Sequence, residues 1–222
     1  MDPLDAVTDI DRFWLDTASG RRVNLARPKP SDICAEDIAA ALAQICRFGG
    51  HSREYFSVAQ HSLLVEELVT SWGRGDLALE ALHHDSHEAF TCDLPSPLKR
   101  LLAAGGDFAA YEALSRNFDN AIRQALGLRR RLSAADRHLV KRADSVAFAL
   151  EATRLLASGG DQAIADRDDY VAELMLRDCP EPMAPAEARR AFLQRHRRLT
   201  AERRGNLRQS AERTRGNRNM PR

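Results

Sequence analysis

The sequence predicts an all-α protein, a helical bundle with one small N-terminal β-hairpin. Alanine and leucine recur at three- and four-residue spacing through most of the 222 residues, and aromatic residues make up only 6% of the chain. A single stretch reads as strand: Phe13-Trp14-Leu15-Asp16 and Arg22-Val23-Asn24-Leu25 flank Ala18-Ser19-Gly20, a turn signal.

The elements follow in order. Proline at 28 and 30 breaks the chain after the hairpin. Ser31-Asp32 then open a helical pattern with apolar positions at Ile38, Leu42, Ile45 and Cys46, ending near Phe48-Gly49-Gly50. Ser57 caps a second helix carrying Val58, Leu64, Val65 and Leu68, with His61 inside it, closed by Trp72-Gly73. A third pattern runs from Leu77 through Ala89 and stops before Asp93-Leu94-Pro95-Ser96-Pro97, since each proline drives its predecessor out of the helical region. A short helix from Leu98 to Ala103 and one carrying Tyr111, Leu114, Phe118, Ile122 and Leu126 come next. Ser133 caps a long helix reaching Leu156, and Gly159-Gly160 end it. Patterns from Tyr170 to Cys179 and from Pro185 to Arg203 complete the chain.

Composition removes several function classes. Thirty-three Lys+Arg against 32 Asp+Glu leave a net charge of +1, which argues against the overall basic field of a dedicated nucleic-acid-binding domain. No window approaches the roughly 20 apolar residues that cross a bilayer. The N-terminus is acidic where a signal peptide is basic, so a cytoplasmic location without a membrane partner is expected. Cys34, Cys46, Cys92 and Cys179 form no CxxC pair and suggest neither a disulfide framework nor a thiolate zinc site. Residues 1–202 read as one domain. Residues 203–222 lose apolar periodicity and gain arginine, so a disordered tail is expected there, solvated or touching nucleic acid through local charge.

The chemistry concentrates in Leu82-His83-His84-Asp85-Ser86-His87-Glu88. On a continuous helix Glu88 shares a face with His84 and Asp85. His61 and Asp144 each stand among apolar neighbours, and a buried carboxylate needs a partner. Alone, His61 reads first as a core histidine bonded to a backbone carbonyl, and Asp144 equally as the partner of a buried arginine. Together, two imidazoles and two carboxylates form a mixed N/O set suited to Mn, Fe, Co, Zn or Mg.

The ordered set His61, His84-Asp85, Asp144 resembles the signature of the HD-domain metal-dependent phosphohydrolases. The stretches Ile45-Cys46-Arg47-Phe48-Gly49-Gly50-His51, Tyr55 to Leu63 and His84 to Lys99 are similar to the branch holding YfbR-type 5′-deoxynucleotidases and phage deoxyadenosine-triphosphate hydrolases. The resemblance covers roughly Trp14 to Leu156; Cys92 departs from it, standing where glycine is more usual. It implies an HD-type bundle holding one divalent metal ion on His61, His84, Asp85 and Asp144. Glu88 matches the acid/base carboxylate, and Asp93 a second one that serves the leaving ribose oxygen. Arg47 matches a substrate-contacting arginine, with Phe48 and Lys99 as further candidates toward base and phosphate; the alternatives are an Arg47 salt bridge to Asp32 or Glu36, a core Phe48 and a solvated Lys99. The implied activity is hydrolysis of a 5′-deoxynucleoside monophosphate to deoxynucleoside and phosphate. Release of triphosphate from a deoxynucleoside triphosphate at the same site is one alternative, and a non-catalytic metal-containing module that binds nucleic acid or a protein partner is the other. Relatives in the branch imply a homo-oligomer, a dimer by analogy.

Overall fold

Apolar spacing only says that each helix buries one face; a computed structural model of the protein shows which faces meet. The structure describes residues 4, 8–160 and 178–218, with side chains through 209. The hairpin pairs β1 (Trp14–Asp16) antiparallel to β2 (Arg22–Asn24), with Trp14 opposite Asn24. Asp37 holds its tip by accepting hydrogen bonds from the Thr17 hydroxyl, the Ser19 amide and the Ser19 hydroxyl.

The described helices are α1 (Ala35–Leu42), α2 (Val58–Ser71), α3 (Ala78–Leu82), α4 (Glu88–Thr91), α5 (Ser96–Gly105), α6 (Ala109–Ala125), α7 (Ala134–Leu155) and α8 (Pro185–Arg218). Both serine caps form as expected: the Ser57 hydroxyl accepts from the Gln60 amide and the Ser133 hydroxyl from the Asp136 amide. One apolar core joins α1, α3, α6 and α8 through Ile38, Leu42, Leu82, Phe118 and Phe192. A second fills the seam between α2 and α7 with Phe56, Leu64, Leu68, Val146 and Leu150. That seam sets His61 of α2 against Asp144 of α7. No described helix is long and apolar enough to cross a membrane.

Three expected elements differ. The first helix is shorter at both ends: Pro30–Asp32 makes a single 3-10 turn, and beyond Leu42 the chain straightens so that Cys46 pairs with Ser57. The third helix breaks at residues 83–87, where polar side chains bind locally instead of continuing the ladder. The His83 Nδ1 lies 2.8 Å from the Ser86 hydroxyl, and the His84 Nδ1 2.8 Å from the Ala81 carbonyl. The last helix does not stop near Arg203 but continues to Arg218, so residues 203–218 carry helical backbone where disorder was expected. Arg, Glu, Gln and Leu are strong helix formers, and proline does not appear again until position 221. The pattern expected over residues 170–179 lies almost wholly outside the described residues.

Candidate metal centre

His61 enters the site from the first turn of α2, fixed by the Ser57 cap behind it. α7 supplies Asp144 and, seven residues later on the same face, Glu151. The broken turn between α3 and α4 supplies His84 and Asp85. One ligand atom from each of His61, His84, Asp85 and Asp144 lies within 4.8 Å of all the others, so this cluster could hold a metal ion. His61 Nε2 stands 3.2 Å from Asp144 Oδ1, and His84 Nε2 3.0 Å from Asp85 Oδ2.

Hydrogen bonding on the far side of each ring decides what these nitrogens can do. His61 Nδ1 donates to Glu151 Oε1 at 2.6 Å, and His84 Nδ1 donates to the Ala81 carbonyl. A neutral imidazole that donates through Nδ1 carries its lone pair on Nε2. Both Nε2 atoms are buried without a hydrogen-bond partner. Two lone-pair nitrogens facing two carboxylate oxygens repel one another unless a cation or protons sit between them. The donor set therefore fits a divalent ion, whose charge matches the two carboxylates. Asp85 and Asp144 keep 22% and 17% of their side chains exposed, so the cluster opens to solvent on its carboxylate side.

Without a cation, protons take its place between the rings and the carboxylates. Burial pulls both imidazoles down, yet the surrounding carboxylates outweigh it and hold His61 above, and His84 well above, the ordinary histidine value. Burial raises Asp85 and Asp144, but the two histidines more than reverse this and leave both carboxyls low. Glu88 behaves oppositely: burial, then the charges of Asp85 and Asp93, push it well above the usual carboxylate range against the pull of Arg47 and Lys99. One of its oxygens is buried without a partner.

Arg47 is placed by the short pairing of residues 45–47 with 56–58, in which the Arg47 amide donates to the Phe56 carbonyl. Its Nε donates to Glu151 Oε2 at 3.0 Å and its Nη1 to Asp93 Oδ2 at 3.1 Å. Neither Asp32 nor Glu36 is its partner, so that alternative is corrected. A chain of charge thus runs from Asp93 through Arg47 and Glu151 to His61. Glu151 was missed in the sequence; its one signal is a lone carboxylate in the apolar run Val146 to Ala152, two turns after Asp144. Phe48 packs on Phe148, with the Arg47 guanidinium over its ring. Lys99 Nζ lies 3.7 Å from Glu88 Oε1. Lys141, on an exposed turn of α7, reaches the outer oxygen of Asp144 at 2.5 Å. His83 pairs with His196 and His87 with Asp119, so neither joins the cluster.

No protein-family model matches the chain. Among curated proteins, it is 38% identical over 138 residues to the uncharacterized protein YfdR of Escherichia coli, a match spanning 62% of this chain and 70% of that one. It is 37% identical over 196 residues to the uncharacterized protein RCAP_rcc00048 of Rhodobacter capsulatus, spanning 83% and 94% respectively. By that extent of shared sequence, the chain belongs to the family of YfdR and RCAP_rcc00048.

Proposed function

We propose that the protein is a divalent-metal-dependent phosphohydrolase of the HD type acting on nucleotides, releasing phosphate from 5′-deoxynucleoside monophosphates. The observation that carries this reading is the pair of buried, partnerless Nε2 atoms converging with Asp85 and Asp144 beside a buried carboxyl, Glu88, that burial and neighbouring carboxylates raise well above its ordinary value. A divalent ion held by His61, His84, Asp85 and Asp144 supplies Lewis acidity, polarising a phosphoryl oxygen and making water acidic enough to act near neutral pH.

The remaining steps belong to the chain's own side chains. Glu88, one residue-turn past the ligands, takes the proton of the attacking water as it closes on phosphorus in line with the ribose 5′ oxygen. Asp93, held by Arg47, would relay a proton from bulk water to the leaving oxygen, and the proton taken by Glu88 returns to bulk water afterwards. Lys99 offers the phosphate a positive charge on a stem that keeps 33% exposure. Arg47 has two nitrogens committed to carboxylates, and its main work is to keep Asp93 and Glu151 in position. A scaffold needing only a structural ion has no use for a buried, raised carboxyl within reach of Asp85's charge, which favours catalysis over a binding module.

The test is phosphate release from each 5′-deoxynucleoside monophosphate, run beside the triphosphates with product chromatography, in Mn, Co and Mg, with Asp85→Ala as control. Metal-dependent phosphate from monophosphates, lost in the variant, supports the nucleotidase. Intact triphosphate among the products moves the reading to a triphosphohydrolase. A folded, metal-loaded protein that turns over none of these substrates overturns both.

A further inference from the structure

Helix α8 carries 11 arginines against 3 glutamates, so in a chain of net charge +1 all other residues together sum to −7. The near-neutral composition hides a strongly basic rod lying on an acidic body. Two sets stand out among its arginines whose side chains are described. Arg195 pairs with Glu66 and Glu67, and Arg203 with Glu80; Glu66 and Glu80 are both buried. Together with buried Ala188, Phe192 and Leu199, these contacts fasten the helix to the body.

The second set points the other way. At 100° per residue, Arg190, Arg197, Arg204 and Arg208 fall within about 40° of one another, on the face opposite Ala188, Phe192 and Leu199. All four are exposed. Arg197 has one long, solvent-exposed contact with Glu36 at 3.7 Å, and Arg190, Arg204 and Arg208 form no ion pair among the described residues. The stripe spans about 27 Å along the helix axis.

We infer that this arginine stripe is a docking surface for the phosphodiester backbone of nucleic acid. A rod-like row of cations matches a polymer that presents one negative charge per roughly 1.7 Å of duplex. Guanidinium groups bond phosphate oxygens through paired donors. The acidic remainder of the chain repels the same polymer and so restricts binding to this helix. A membrane surface fits less well: the apolar face of α8 is already spent on the body, and among its described residues Leu207 is the one large apolar side chain left exposed. The contact reads phosphate, not base sequence.

The experiment is fluorescence anisotropy of a labelled 24-base-pair DNA duplex against the full chain from 50 to 200 mM salt, beside phosphatidylserine vesicles. Four phosphate contacts predict a slope of log K against log salt of about −3.6, a loss of about a hundredfold over that range. The combined substitution of Arg190, Arg197, Arg204 and Arg208 by Gln should weaken binding at least tenfold, as an estimate from counterion release, while lysine at all four restores it. Circular dichroism and metal-dependent phosphate release should not change, which separates this surface from the proposed active site. Equal binding by wild type and the glutamine variant, no duplex binding at 50 mM salt, or tighter binding to vesicles than to duplex would each overturn the inference.

Discussion

Two clusters of carboxylates at helix junctions are treated in opposite ways. At the junction of α2 and α3 with α8, Glu66 meets Arg195 and Arg198, and Glu80 meets Arg129 and Arg203. Between α2 and α7, Asp85 and Asp144 instead face the lone-pair sides of two histidines. Burying a charge costs stability unless it is compensated. The first region is compensated from within the chain. The second is compensated by Lys141 at its rim and by histidine protons that a cation could replace, which is how it differs from a clamp of fixed arginine charges.

The sharpest test of this contrast removes one carboxylate from each region. Asp144→Asn should lower metal-dependent turnover roughly 10³-fold, several kcal/mol of transition-state stabilisation. In chelator it should lower the melting temperature near neutral pH, where protonated His61 and His84 pair with Asp144, and the loss should shrink as rising pH strips those protons. Glu66→Ala should do the reverse: activity per folded molecule holds, while stability falls by about 2 kcal/mol. That is less than a fully enclosed pair would lose, because Arg195 keeps 23% exposure. At roughly 2–4 °C per kcal/mol, the melting point should drop by about 4–8 °C. If the loss in chelator is as independent of pH for Asp144→Asn as for Glu66→Ala, whose arginine partners keep their charge, the two regions are alike and the contrast fails.

Glu151 belongs to both worlds, pairing with Arg47 on one oxygen and orienting His61 with the other. Glu151→Gln should weaken metal affinity about 10- to 100-fold, the usual effect of losing a carboxylate behind a ligating imidazole. Isothermal titration with Mn and Co measures it. Affinity equal to wild type would mean that the α2–α7 packing alone orients the ring.

Much of this arrangement is legible in sequence, for identifiable reasons. Side-chain caps are local events, so Ser57 and Ser133 announce their helices. His61 and Asp144 stand out as polar residues on apolar faces and His84-Asp85 by the density of polar groups around them, while the resemblance to the HD signature joins the four. What sequence hides is partnership across distance: Arg47 and Glu151 lie 104 positions apart, and nothing near either names the other. The break at residues 83–87 is hidden for a different reason. Its apolar spacing is helical, and only the competition of His83, His84 and Ser86 for nearby bonding groups ends the ladder.

Glu88 extends the comparison to pH. Its carboxyl is raised well above 4.5, so in the metal-free protein the folded chain holds this proton more tightly than the unfolded chain. The associated stability is full below the unfolded value and is lost as pH rises through the folded one. Glu88→Gln stays neutral at every pH. Melting in chelator should therefore coincide for the two proteins below about pH 4.5, and the variant should be the more stable by a few degrees at pH 8. A wild type that melts higher at pH 8 would show that Glu88 is paired in the folded chain after all, as Glu66 and Glu80 are.

The smallest effect comes from backbone geometry, where the regions differ again. Among the described residues, two non-glycines adopt positive φ, and each adjoins a member of the site: Phe48 follows Arg47, and Cys92 precedes Asp93. The paired region around Glu66, Glu80 and α8 has none. At φ 65° and ψ 158°, Cys92 occupies a region open essentially to glycine alone, at a cost on the order of 1–3 kcal/mol. Its carbonyl accepts from the Tyr111 hydroxyl at 3.0 Å, and Asp93 is gripped by Arg47, so both sides of the residue are held while the strain persists. Cys92→Gly removes the clash but also frees the unfolded chain, which returns part of the gain. The net expectation is a stabilisation of about 1 kcal/mol, or roughly 2–4 °C in melting temperature, with metal affinity unchanged because no ligand moves. A variant that melts lower than wild type would show that the cysteine side chain contributes packing there worth more than the strain it imposes.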